Sequence, residues 1–142
     1  MRQHISFGPN VPPSRAGISH AVVINDICYI GGQLSVDMLG RYRAGTAEAE
    51  AINSFLNLFA VLSAAGFEVE DLVFLGLALA ELDELPAISA IYNRLFRSGK
   101  RPARTVEQAA GLPYGARFRV NGVAIRESRR LPCRCICCRQ SA

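Results

Sequence analysis

The sequence predicts a single α+β domain in the order β-β-α-β-α-β-β, with two helices set against one face of a sheet. Three observations carry this. The chain has 142 residues, half of them hydrophobic, which is one domain's length with enough apolar side chains for a core. Two stretches repeat apolar residues at intervals of three and four, and the other apolar runs are short and bounded by Gly, Pro, Asn or Asp. Two helices cannot cover both faces of a five- or six-stranded sheet. The apolar run at 72–80 therefore points to further subunits over the second face, and so to an oligomer.

Each element has its own warrant. Residues 1–16 hold three of the seven prolines and little periodicity, so they read as an extended arm. Residues 21–33 read as two strands around a tight turn at Asn25-Asp26. Gly31-Gly32 ends the second strand with a backbone that other groups can approach closely. A short turn follows at 40–45. Residues 46–65 form the clearest helix: Thr46 can cap it, Glu48 and Glu50 suit its positive end, and Gly66 suits its exit. Its apolar stripe is Ile52, Phe55, Leu56, Phe59 and Leu62.

Residues 71–80 lack polar alternation and read as a strand covered on both faces. Asp83 is expected to cap a second helix with Pro86 in its first turn, burying Leu85, Ile88, Ile91, Tyr92, Leu95 and Phe96. A strand after Arg104, a turn at 113–115 and a last strand over 117–125 complete the order. That last strand sets Phe118 and Val120 on one face and Arg117, Arg119 and Asn121 on the other.

Charge narrows the choice of partners. The net charge of +4 sits in residues 128–142, which hold Arg129, Arg130, Arg134 and Arg139 and no acid, while residues 1–127 carry twelve basic and twelve acidic side chains. Net charge therefore gives no reason to expect a phosphate-tracking surface on the body of the protein. The first residues lack the apolar core of a signal peptide, and nine apolar residues at 72–80 cannot span a bilayer, so a soluble, cytoplasmic protein is expected, with no membrane partner.

The chemistry centres on Arg104. Residues 101–107 set a stiffening proline and a small residue before Arg104 and a β-prone Thr105-Val106 after it, which fixes one guanidinium at the mouth of a strand. A guanidinium keeps its proton and matches a carboxylate with two parallel hydrogen bonds, so Arg104 reads as the anchor for a small carboxylate ligand. His4 and His20 are the only histidines, and His20 falls at the lip of any cleft beside the first strand. Cys28, inside a strand, reads as a buried small hydrophobe. Cys133, Cys135, Cys137 and Cys138 crowd the Arg/Cys-rich segment 128–142, but no distant cysteine pair or nearby histidine makes them a zinc pattern. That segment reads as a disordered extension, and no metal or organic cofactor is expected. Arg94, Arg97, Lys100 and Arg101 form a basic cluster, but the neighbouring Tyr92 and Phe96 fall on a buried stripe rather than on a base-stacking platform.

Several segments together resemble the RidA (YjgF-like) family. Gly31-Gly32-Gln33 stands where that family has Ser-Gly-Gln, and residues 57–66, NLFAVLSAAG, resemble its Asn-Leu-x-x-Val-Leu-x-Ala-Ala-Gly helix end. Ile91-Tyr92-Asn93-Arg94-Leu95-Phe96 is similar to its Val-Tyr-x-x-Phe-Phe segment. Pro102-Ala103-Arg104-Thr105 with Leu112-Pro113 matches its Pro-Ala-Arg-Ser…Leu-Pro signature at the same spacing. The resemblance spans residues 17–126 and implies a RidA-like domain over 17–127. It also implies a chorismate-mutase-like α+β fold with a mixed sheet, and a homotrimer with a central barrel of sheets and ligand clefts between subunits.

The implied activity is hydrolysis of 2-imino or 2-enamino acids to 2-oxo acids and ammonia without a cofactor. Some members are described instead as endoribonucleases or ligand-responsive binding proteins. The resemblance further implies that Arg104 holds the substrate carboxylate, that Gly31, Gly32 and the Val106 backbone border the imino group, and that Pro113 flanks it. Three positions depart from the pattern: Asn121 stands for a water-handling Glu, Ile18 for a Tyr, and Ser89 for an Asn. An asparagine can orient water but cannot accept its proton. A non-enzymatic carboxylate-binding protein is thus the alternative to a deaminase, and a ribonuclease is the third reading.

Overall fold

Period-two alternation in the strands and apolar spacings of three and four in the helices bring the chain into one layer of sheet and one layer of helices. This is the arrangement in the computed structural model, which describes residues 1–97 and 99–127. The strands are β1 (Arg2–Ile5), β2 (Ala21–Ile24), β3 (Ile27–Gln33), β4 (Leu72–Leu79), β5 (Ala103–Gln108) and β6 (Phe118–Ile125). The helices are α1 (Ala47–Ala64) and α2 (Leu85–Leu95). The sheet order is β1-β2-β3-β6-β4-β5. Only β4 and β5 run parallel, joined by the crossover helix α2, so the sheet is mixed as expected. No helix among the described residues is long and apolar enough to cross a membrane.

Three expectations need correction. Part of the N-terminal arm is a strand: β1 pairs antiparallel with β2 from Arg2↔Ile24 to Ile5↔Ala21. Only Ile5 of that strand is buried, so an edge position left no apolar alternation in the sequence to read. Asp83 does not cap α2. A short 3-10 turn at Leu82–Glu84 comes first, and Glu84 holds the cap position without a side-chain bond. Leu56 does not belong to the buried stripe of α1, being 54% exposed, whereas Phe55, Leu58, Val61 and Leu62 are buried.

The cap and turn signals around α1 and the first hairpin hold. Thr46 accepts the Ala49 amide at 3.2 Å, and Gly66 leaves α1 with φ of 79°. Asn25 takes φ of 54° in the hairpin turn. Leu75, Leu77 and Leu79 of β4 and Phe118 and Val120 of β6 pack beneath the helices around Phe55. Among the described residues no helix covers the opposite sheet face, which leaves Tyr29, Val73 and Ile125 between 41% and 50% exposed.

One buried carboxylate ties the layers together. Glu50 of α1 is fully buried and accepts from the Tyr42 hydroxyl at 2.7 Å, the Arg117 amide at 3.1 Å and the Gly45 amide at 3.4 Å. Burial and the Glu50 bond push the Tyr42 hydroxyl up to about 12, so it remains a donor through neutral pH. The Tyr42 ring in turn stacks on Tyr114 at 5.8 Å, with 10° between planes.

Two substitutions separate core from surface on α1. Phe55→Ala should lower stability by about 3–5 kcal/mol and Leu56→Ala by less than about 1 kcal/mol, read from denaturant midpoints. Tyr42→Phe should cost about 1.5–3 kcal/mol in the same measurement, because it removes a donor to a buried carboxylate while keeping the ring stack.

Candidate functional site

A cleft of about 560 Å³ opens between the arm at 12–20, the end of β3, the turn at Pro113–Gly115 and the start of β6. Five of the residues singled out in the sequence line it: Ile18, Gly31, Gly32, Pro113 and Asn121. The other three, Arg104, Val106 and Ser89, are not part of its wall. They gather instead where β5 meets α2. In a single chain, then, the expected site lies in two pieces.

The strand register explains the separation. Arg104 and Val106 pair with Leu75 and Leu77, whose side chains face the helices, so both residues point to that side of the edge strand. There the Arg104 guanidinium lies over the Tyr92 ring, 4.8 Å from its centroid, and its Nη1 donates to Ser89 Oγ at 3.4 Å. Tyr92 is itself fixed, donating its hydroxyl to the Pro102 carbonyl at 3.2 Å. Among the described residues no carboxylate pairs with Arg104. Its fork is exposed, held by stacking, and open to an anion.

Asn121 and Arg119 alternate with Val120 and so face the other side of the sheet. Glycines on the flanking strands seat both. A Cβ on Gly76 would lie 2.7 Å from Asn121 Oδ1, and one on Gly32 would lie 2.8 Å from Arg119 Cδ. The close approach that Gly32 permits is thus used by Arg119, a cleft residue that the sequence reading put on the polar face of the last strand without a role. His20 stands at the lip as expected: Nε2 contacts the Pro12 carbonyl at 2.8 Å, and Nδ1 lies 3.4 Å from Gln33 Nε2. Tyr114, which the sequence reading missed, forms part of the rim with φ of 63°. Nothing in its local sequence signals that conformation, since Tyr seldom adopts it and Gly115 beside it also takes positive φ. Among the described residues no Asp or Glu lines the cleft.

Two arginines of the basic cluster have a structural role. Arg97 and Arg101 donate through Nε to the carbonyls of Arg94 and Phe96, satisfying groups at the end of α2. Tyr92 and Phe96 are buried. Cys28 is fully buried, and its burial pushes the thiol up to about 11 against a small opposing pull from Arg126. Among the described residues no group of three or more His, Cys, Asp or Glu gathers as a metal site. The cysteines at 133–138 and the rest of 128–142 lie outside the described residues.

Known proteins share both sequence and fold with this chain. Residues 9–126 match the family described as Endoribonuclease L-PSP. The human 2-iminobutanoate/2-iminopropanoate deaminase is 33% identical over 109 residues, covering 76% of this chain and 79% of the human protein. A Thermotoga maritima structure, described as a candidate endoribonuclease, superposes with a TM-score of 0.82 at 27% identity, covering 89% of this chain and 99% of that one. The YjgF gene product of E. coli shares the fold, with a TM-score of 0.81 over 88% of this chain and all of its own length. By its matched length, its deaminase relatives and its fold, the chain belongs to the YjgF/RidA family of Endoribonuclease L-PSP proteins.

Proposed function

We propose that the protein hydrolyses 2-imino and 2-enamino acids to 2-oxo acids and ammonia, in a cleft completed by a neighbouring subunit of a homotrimer. The observation that carries this reading is the unpaired, stacked guanidinium of Arg104 in a chain whose relatives are named 2-iminobutanoate/2-iminopropanoate deaminases. Arg104 grips the substrate carboxylate, and Ser89, already bonded to it, borders the same group. A partner's cleft, with Gly31, Gly32, Ile18, Pro113 and Asn121, closes over the imino end, which the Val106 backbone also borders. Water adds to the imine carbon to give a carbinolamine. A proton passes to nitrogen, the C–N bond breaks, and ammonia leaves as the carbonyl forms.

Two observations support the trimer. The expected site is divided between separate regions of one chain, and the helix-free sheet face exposes Tyr29, Val73 and Ile125. Asn121 orients the water through its amide and has no capacity to take the proton. The imine is labile enough for positioning to accelerate its hydrolysis. The absence of any carboxylate from the cleft wall favours the second reading, a carboxylate-binding regulator that turns nothing over.

An amino-acid oxidase can generate 2-imino acids in situ while 2-oxo acid release is followed. Turnover is expected in the wild type, with kcat/KM falling on the order of 10²–10³-fold in Arg104→Ala while its circular dichroism is unchanged. A flat trace for the wild type would leave the regulator. Sedimentation equilibrium should return three times the chain mass of 15.4 kDa, and a monomer would overturn the shared cleft.

A further inference from the structure

Among the described residues, the cleft wall carries cationic side chains and no anionic one, although the chain outside residues 128–142 balances its charges. Two arginines line it. Arg15 is already committed, its Nη2 donating to the Leu39 carbonyl at 2.9 Å. Arg119 is not. Its stem lies in the lane left by Gly32, and its Nε is buried with no hydrogen-bond partner. Its one ion pair is with Glu107 across β4, at 3.6 Å and through Nη2, and the Glu107 side chain is 65% exposed. A pair so long and so wet contributes little.

An unmet Nε–H beside an Nη2 held only by the exposed Glu107 is the edge with which arginine takes a carboxylate two bonds at a time. Leaving such a donor unmet is costly, and a carboxylate that replaced Glu107 at Nη2 would lie beside it on the same edge of the fork. Asn121, seated two residues on in the Gly76 notch, adds an amide on the same face. The stem of Arg119 is braced by the sheet beneath it, so its head is held in place before any ligand arrives.

We propose that Arg119 is a second anion anchor, and that the ligands this cleft selects are 2-imino or 2-oxo dicarboxylic acids. One carboxylate goes to Arg104 of the neighbouring subunit and the side-chain carboxylate to Arg119. This rests on the preceding functional reading for the role of Arg104, but the selectivity it assigns is read by binding alone. Glu107 is the competitor: it pairs with Arg119 in the empty cleft and swings into solvent when a ligand carboxylate takes its place.

The test uses calorimetric titration of the full-length protein with stable products, 2-oxoglutarate against 2-oxobutanoate. The wild type should bind the dicarboxylate at least about tenfold more tightly. Arg119→Gln should bring the two within about twofold, Arg119→Lys should keep part of the preference, and Arg104→Ala should weaken both ligands in parallel. Equal affinities in the wild type, or a preference that survives Arg119→Gln, would overturn the proposal. Imino acids generated from L-glutamate and from L-2-aminobutyrate separate the two failures. Turnover without a dicarboxylate preference removes Arg119 as anchor and leaves the deaminase standing. A binding preference without turnover of either imino acid does the reverse.

Discussion

The buried Glu50 carboxylate, held by the 40s loop and the start of β6, is the constraint on which the cleft depends. A buried charge without partners is costly, so the fold must bring three donors to it from two separate segments. The Arg117 amide fixes where β6 begins, the Gly45 amide fixes the approach to α1, and the Tyr42 hydroxyl fixes a ring that supports Tyr114. The start of β6 determines the register against β4, and that register puts Asn121 opposite Gly76 and Arg119 opposite Ala78. A helix residue remote from any ligand thereby sets which side chains reach the cleft.

Much of the architecture was legible because each signal was local. Thr46, Gly66 and the Asn25-Asp26 turn act within a few residues, and the apolar spacings of both helices survive single errors such as Leu56. Arg104 was legible for a similar reason, since its flanking proline and β-prone residues fix its backbone locally. β1 was hidden because an edge strand with one buried side chain need not alternate. Tyr114 was hidden because its left-handed backbone is accompanied by a ring stack on Tyr42, far away in sequence, which Glu50 in turn holds. Arg119 appeared on a polar face, and only the paired strands reveal that glycines seat it there.

The one-sided sheet also governs how the chemistry is distributed. Helices cover the face toward which Arg104 leans at the edge, while Arg119 and Asn121 lie on the bare face. Side chains on opposite faces of one sheet cannot converge on a small molecule. In the proposed trimer the bare faces meet, and a cleft gains the anchor that its own chain directs elsewhere. Oligomerisation and catalysis then share one requirement, and a lone chain would hold two incomplete halves.

The stacking of Arg104 on Tyr92 has a kinetic consequence. A free arginine side chain gives up as much as about 2 kcal/mol of rotamer freedom when it is pinned by a ligand. Here that freedom is already restricted by a ring whose own hydroxyl is tied to the Pro102 carbonyl. In the proposed deaminase, capture of a short-lived imine would need no side-chain search at this anchor. For a substrate that water also destroys, the time saved at encounter counts directly toward the fraction of molecules the protein intercepts.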